Sequence, residues 1–219
     1  MEDKFKMTPE QNIFLAKRNI VDYIYKSANL EGINVTFPET QAIFDGAGVS
    51  NIKVDDIIKI NNLKRAWEFV LSTLDSQTDI DYLSRINTII GSDGSIYGAG
   101  KIRAYDVRIL GTKWQPKIPF EFDLRNEMID ILNIKNITER AITLMLWAMR
   151  SQIFVDGNKR SAMLIANKEM IENGCGVISI PTEKIKRFYE LLISFYETND
   201  MHDIKQFVYD YCIDGINSK

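Results

Sequence analysis

The chain offers one histidine and two cysteines, the residues that most often hold zinc or carry proton transfer and nucleophilic attack. Cys175 and Cys212 have neither metal-ligand spacing nor a disulfide framework, which excludes zinc-ribbon and disulfide-stapled classes and points to a reducing cytoplasm. His202, beside Asp203 where a helical stripe begins, reads as a solvated polar residue rather than a ligand or base. Cationic excess is lacking too. Lys and Arg total 27 against 30 Asp and Glu, a formal net charge of −3, so no basic footprint points to nucleic acid. No apolar run is long enough to cross a bilayer, and Met1 to Lys4 lacks the cationic and apolar regions of a signal peptide. No membrane partner and a cytoplasmic location are therefore expected. Without a Pro/Ser-rich stretch, an internal repeat or a low-complexity run there is no linker.

What is present reads as helices. The 219 residues are 45% hydrophobic, enough for one sizeable core. Ile60, Leu63, Trp67, Val70, Leu71 and Leu74 repeat at helical spacing after the acidic start Asp55-Asp56, and Tyr82, Leu83, Ile86, Ile89 and Ile90 do so after Asp79. Ile185, Phe188, Tyr189, Leu192, Ile193 and Tyr196 form a stripe after Pro181-Thr182, and Ile204, Phe207, Val208 and Tyr211 another. At that spacing aromatics are core rather than a base-stacking surface. Around Gly98-Ala99-Gly100-Lys101-Ile102-Arg103, Val107, Ile109, Gly111, Pro116 and Pro119 the composition changes to that of a loop or hairpin.

Chemistry concentrates in Gln152-Ile153-Phe154-Val155-Asp156-Gly157-Asn158-Lys159-Arg160. Ala141 to Met149 before it is an apolar run after Thr138 and Glu139, an N-cap and first-turn acid, so a buried helix is expected. Gly157 breaks that helix. Asn158 is then placed to cap a second one, with Ala162, Ile165, Ala166 and Met170 inside and Gly174 after Asn173 at its end. A tight turn at a helix N-terminus presents unpaired N–H groups and the positive end of the helix dipole, a setting for phosphate. Arg160 adds a planar fork, Lys159 a point charge, and Asp156 a hard oxygen ligand for Mg²⁺ bridging two phosphates. From spacing alone the stretch is equally a polar turn between two ordinary helices.

The same stretch resembles the Fic/Doc family signature, His, any, Phe, any, Asp or Glu, Gly, Asn, Gly or Lys, Arg, with Gln152 where the family has its catalytic histidine. The resemblance implies an all-α fold, a Fic-like helical domain with a short β-hairpin flap. Residues 1–50 would be an N-terminal helical segment and 51–219 the Fic-like domain, together one compact unit. Members most often transfer AMP from ATP to a target-protein hydroxyl of Ser, Thr or Tyr, while a Doc-like branch with Lys at the position of Lys159 includes phosphotransferases. By resemblance Asp156 binds Mg²⁺, Gly157, Asn158 and the loop N–H groups hold the α-phosphate, Arg160 takes an outer phosphate and Phe154 anchors the loop. Lys101, Ile102, Arg103, Val107 and Ile109 fall in the flap, which clamps the target side chain by strand-like pairing. ATP and Mg²⁺ are the implied cofactors. A target protein is the implied partner, and a homo-oligomer is compatible with the sequence.

Ser27 and Glu31 lie one helical turn apart on one face, before the natural terminator Gly32. Ser27-Ala28-Asn29-Leu30-Glu31-Gly32 resembles the family's inhibitory motif, whose glutamate reaches a second arginine that here is Met163, so Glu31 is expected to lack its cationic partner. Gln152 can hydrogen-bond a hydroxyl but has no accessible pKa for taking its proton, and loss of a general base costs about 10²–10⁴ in rate. Two readings follow: a slow transferase, with Glu31 the nearest alternative base by analogy, or a catalytically silent nucleotide-binding regulatory module.

Overall fold

The computed structural model describes residues 1–216. In chain order these form α1 (Pro9–Arg18), α2 (Ile20–Leu30), α3 (Phe37–Phe44), α4 (Val54–Ser72), α5 (Ile80–Ile90), α6 (Glu121–Leu132), α7 (Ile137–Ser151), α8 (Asn158–Glu172), β1 (Val177–Ile178), α9 (Ile185–Thr198), α10 (His202–Tyr211) and β2 (Ile213–Asp214). Local chemistry sets several of the starts. Thr8 with Gln11, and Thr36 with Glu39, close capping boxes ahead of α1 and α3, and the Asp79 carboxylate accepts from Tyr82 N at the start of α5.

Helices α7 and α8 form the centre. Every residue of α7 from Ala141 to Met149 is buried, and in α8 all from Asn158 to Ile171 are buried except Lys159. A fully buried Leu or Ile contributes about 1.5–3 kcal/mol, so these two helices are the firm base on which the turn between them rides. Three polar residues of α8 are matched inside. Asn167 pairs with both main-chain groups of Ile178 at 2.6 and 2.8 Å, Glu169 meets Arg140 at 2.9 Å, and Lys168 meets Glu172 at 2.8 Å. The stripes of α4, α5 and α9 face this centre, whereas Tyr211 of α10 points outward, half exposed, with the Lys184 ammonium over its ring. Cys175 and Cys212 are free and buried.

Three details of α7 and α8 differ from expectation, the first being that α7 ends at Ser151 with Gln152 as its C-cap, so Gly157 is not what breaks it. Asn136, not Thr138, caps α7, its side chain accepting from Glu139 N, while Thr138 N donates to Asp3. Gly157, not Asn158, stands at the N-cap of α8, and no side chain caps that helix.

The expected flap hairpin is absent. No strand forms between 98 and 120, and the two-stranded antiparallel sheet joins β1 to β2, pairing Val177 with Asp214 and Ile178 with Ile213. The reason lies in Arg103. Its buried guanidinium donates to the carbonyls of Tyr105 at 2.7 Å, Pro116 at 3.3 Å, and Lys117. One side chain thus draws together the two limbs that ladder hydrogen bonds would join, where Pro116 and Pro119 have no N–H to give.

Candidate functional site

The turn between α7 and α8 is built by two left-handed residues. Gln152 ends α7 at φ 46°, ψ 56°, and its side-chain amide donates to Met149 O at 2.7 Å. Ile153 and Phe154 then plunge into the core and Val155 and Asp156 emerge. Gly157 turns the chain into α8 at φ 78°, and a Cβ there would meet Asn87 Nδ2 at 2.9 Å and Ile96 Cδ1 at 3.0 Å, so both the conformation and the space call for glycine.

Asn158 stitches the turn shut. Its Oδ1 accepts from Phe154 N at 2.9 Å, and its Nδ2 donates to Phe154 O at 2.8 Å and to Gln152 Oε1 at 3.3 Å. A second stitch comes from Asn87 on α5, which donates to Asp156 O at 2.9 Å and Ser161 Oγ at 3.1 Å and accepts from Gly100 N at 2.8 Å. Asn87 escaped the sequence reading, although an amide inside the apolar stripe of α5 was the available signal. Main-chain bonds add Arg103 N to Ile153 O at 3.0 Å, and Arg103 Nε reaches Gln152 O at 2.5 Å. Arg103 therefore holds the segment 98–120 onto the turn and is not offered to a partner. Lys101 is exposed, and Ile102, Val107 and Ile109 are half-buried.

The first helical bond of α8 runs from Ser161 N to Gly157 O at 2.9 Å, leaving the N–H groups of Asn158, Lys159 and Arg160 ahead of the ladder. Beside them Arg160 is 96% buried, with side-chain exposure of 4%, while Asp156 is 62% exposed. Asp156 Oδ1 accepts from Gly157 N at 2.5 Å and lies 3.5 Å from Arg160 Nη2.

Glu31 completes the cluster from α2. Gly32 N bonds Asn29 O at 2.9 Å and Ile33 N bonds Ala28 O at 3.0 Å, with Gly32 at φ 77°, the Schellman ending that leaves Glu31 as the C-cap. Ser27 is buried one turn earlier. Glu31 Oε2 stands 3.5 Å from Arg160 Nε and Oε1 3.6 Å from Lys159 Nζ. The expectation that Glu31 lacks a cationic partner is thus corrected: with Met163 in place of a second arginine, Arg160 and Lys159 are the partners. The pair is loose, since Glu31 Oε1 and Arg160 Nε are buried without a hydrogen-bond partner. A carboxylate at a helix C-terminus is also opposed by the dipole of its own helix, so Glu31 is held there by the two cations. Tyr189 donates to Leu30 O, fixing the same helix end, and burial pushes its hydroxyl above the usual phenol range. Tyr196, bonded to Met149 O at 3.2 Å, is raised likewise by burial, so neither phenol is a base at neutral pH.

The cluster fits a phosphate with a cation beside it. Uncapped N–H groups, a guanidinium Nε without a hydrogen bond and an exposed carboxylate are the donor and acceptor set that a phosphate and Mg²⁺ require. Among the described residues no group of three or more His, Cys, Asp or Glu could hold a metal alone, so Asp156 would share a cation with phosphate oxygens. No helix among the described residues is long and apolar enough to cross a membrane.

No protein-family model matches the chain. It is 24% identical over 197 residues to the protein adenylyltransferase fic-1 of Caenorhabditis briggsae, covering 85% of this chain and 38% of that protein. Among solved structures it is similar to residues 134–508 of Fic-1 from C. elegans, with TM-score 0.73, 22% identity, and coverage of 89% of this chain and 61% of that one. A Fic domain containing signaling protein from Bacteroides thetaiotaomicron gives TM-score 0.75 at 19% identity, covering 92% and 84%. The chain thus spans well under half of the curated relative and less than two thirds of the C. elegans structure, and its fold, mostly helical with a small two-stranded sheet near the C-terminus, is that of the Fic proteins.

Proposed function

We propose that the chain is a Fic-type nucleotide-binding protein that takes ATP with Mg²⁺ at Asp156 to Arg160 and transfers AMP slowly to a hydroxyl of a target protein, releasing pyrophosphate. The observation that carries this reading is Arg160, a buried guanidinium at the uncapped start of α8 whose Nε makes no hydrogen bond and has the Glu31 carboxylate 3.5 Å away. Arg160 and Lys159 would bind outer phosphate oxygens, the N–H groups at the start of α8 the α-phosphate, and Asp156 the cation. Bound Mg²⁺ would neutralise charge developing on the phosphates. Glu31 lies against the same cations, so nucleotide and Glu31 compete for them.

A specific observation favours the silent-module reading as the alternative. Both ends of the Gln152 amide are engaged, by Met149 O and Asn158 Nδ2, which leaves the amide serving the turn rather than reaching for a substrate hydroxyl. Calorimetry of ATP with Mg²⁺ on the wild type and on Arg160→Ala tests the site. Binding by the wild type that is lost in Arg160→Ala is expected; equal affinity in both, or none in either, removes the reading. ATP labelled separately on the α and γ phosphates, followed by mass spectrometry of the chain, then separates AMP transfer, phosphate transfer and silence.

A further inference from the structure

A cleft of about 590 Å³ lies between Trp114 to Phe120, α6 and the ends of α7 and α9. Its floor is apolar, with Leu124, Trp147 and Phe195 buried. Its wall is Trp114, on whose ring the Arg150 guanidinium stacks at 3.7 Å, together with Ile118 and Phe120, which are 49% and 66% exposed. Along α6 the cleft is edged by Asp123, Glu127 and Asp130, whose spacing sets all three on one helix face. Among the described residues none of them has a cation within ion-pair distance, and Glu127 accepts only from Trp147 Nε1, at 2.6 Å. The lining cations are Lys117 and Arg150, and Arg150 is already committed to Trp114 and to Tyr196 O at 3.1 Å.

We propose that this cleft docks a segment of a partner protein that carries an apolar or aromatic anchor flanked by lysines or arginines. The anchor fills the space over Leu124, Trp147 and Phe195, where a buried aromatic contributes most to binding. Its cationic flanks meet the three unpaired carboxylates, which steer approach and fix orientation. The carboxylate row from Asp123 to Asp130 runs about 10 Å along α6 at the cleft edge, an extent that suits a polypeptide better than a small molecule. An anionic partner is disfavoured by the same carboxylates. Ser151 lines the cleft next to Gln152, so a docked segment lies one residue from the turn. The inference does not depend on nucleotide binding.

The three tryptophans make the test site-specific, because Trp114 and Trp147 line the cleft while Trp67 stacks on Tyr23 elsewhere in the core. The probe is a decapeptide with one central tryptophan between Lys-Arg pairs, unlabelled for NMR and with a fluorescent label for anisotropy. Two control peptides replace the flanks by Glu or the central tryptophan by Gly. Saturable binding is expected, with the indole N–H signals of Trp114 and Trp147 shifting and that of Trp67 staying. Affinity should fall about tenfold or more in Asp123→Lys/Asp130→Lys, whose circular dichroism should stay unchanged. Because the carboxylates are exposed, that variant is expected to fold; if it does not, Phe120→Ser serves in its place with the same expected loss. Equal binding of all three peptides, no saturation by about 1 mM, or an unmoved Trp114 and Trp147 overturns the proposal. So does concentration-dependent dimerisation of the free chain that shifts the same two indoles, which would assign the cleft to a second copy.

Discussion

Glu31 Oε2 lies 3.5 Å from Arg160 Nε, both side chains largely withdrawn from solvent and neither atom pair closed into a good hydrogen bond. Such a pair stabilises weakly, because desolvation of two charges offsets most of their attraction when the geometry is slack. A phosphate brings more acceptor oxygens to the same guanidinium, so the contact is one that an anion can displace. Glu31→Gly is expected to raise ATP affinity by roughly tenfold and to lower the stability of the free protein by about 1–3 kcal/mol, since Arg160 loses a buried partner. Calorimetry and urea unfolding measure the two effects. An unchanged affinity would mean that Glu31 and nucleotide do not share Arg160.

Arg103→Met tests the role of the buried guanidinium that gathers four carbonyls. Methionine keeps the apolar stem but leaves the carbonyls of Tyr105, Pro116, Lys117 and Gln152 without their donor. A loss of about 2–4 kcal/mol is expected, and limited proteolysis should begin between 104 and 119. If cleavage there is no faster than in the wild type, the segment is held by other contacts.

The two thiols give a pH test. Burial pushes Cys175 and Cys212 up to about 12. A thiol that ionises later in the folded chain than in the unfolded one leaves stability untouched below about pH 8.5 and costs stability above it, because the unfolded state then binds fewer protons. Unfolding free energy should therefore decline as pH rises from about 8.5 towards 12, and this decline should shrink in Cys175→Ala/Cys212→Ala. At pH 8 both thiols should resist a thiol reagent until urea is added. Prompt modification of the native protein would place a thiol at the surface.

Much of this was legible in the sequence where periodicity speaks. The buried stripes of α4, α5 and α9 follow from apolar spacing and the turn into α8 at Gly157 from glycine's conformational freedom, whereas α7 ends earlier, at a left-handed Gln152 that no local rule marks as a stop. Interactions between distant parts of the chain were not. The meeting of Glu31 with Arg160 depends on where α2 ends relative to α8, which no local pattern encodes. The hairpin was expected because glycine, proline and alternating apolar residues suit one, but a single buried arginine satisfied those carbonyls instead. Asn87, and the turn-stitching role of Asn158, were hidden for a related reason: an asparagine looks the same in sequence whether it caps a helix, faces water or stitches a turn.

Gly157→Ala addresses the turn itself. At φ 78° an L-residue is strained, and the added Cβ would press on Asn87 Nδ2, the donor that holds Asp156 O. The cost should be about 1–3 kcal/mol, with nucleotide affinity falling in parallel, since the N–H groups at the start of α8 move with the turn. Thermal unfolding and calorimetry report the two. A stable variant with lost binding would show that the turn serves the ligand alone.

Gln152→His asks whether the missing base is what limits transfer. The position can accept the change: Gln152 already sits in the left-handed region, which histidine tolerates better than most residues, and it is half-buried at the mouth of the turn. An imidazole there can take a proton from a hydroxyl near neutral pH, which an amide cannot. It also gives up the amide's bonds to Met149 O and from Asn158, so some stability is lost, about 0.5–1.5 kcal/mol. While Glu31 holds Arg160 the phosphates compete for that cation, and the single variant should gain little. In Gln152→His/Glu31→Gly both obstacles are removed, and transfer of α-labelled AMP to the chain itself or to a lysate should rise by about 10²–10⁴ over the wild type. Labelling from γ-labelled ATP should stay at background if AMP rather than phosphate is the transferred group. Should the double variant bind ATP more tightly yet transfer nothing, the turn is a nucleotide sensor, and the silent-module reading takes the place of the transferase.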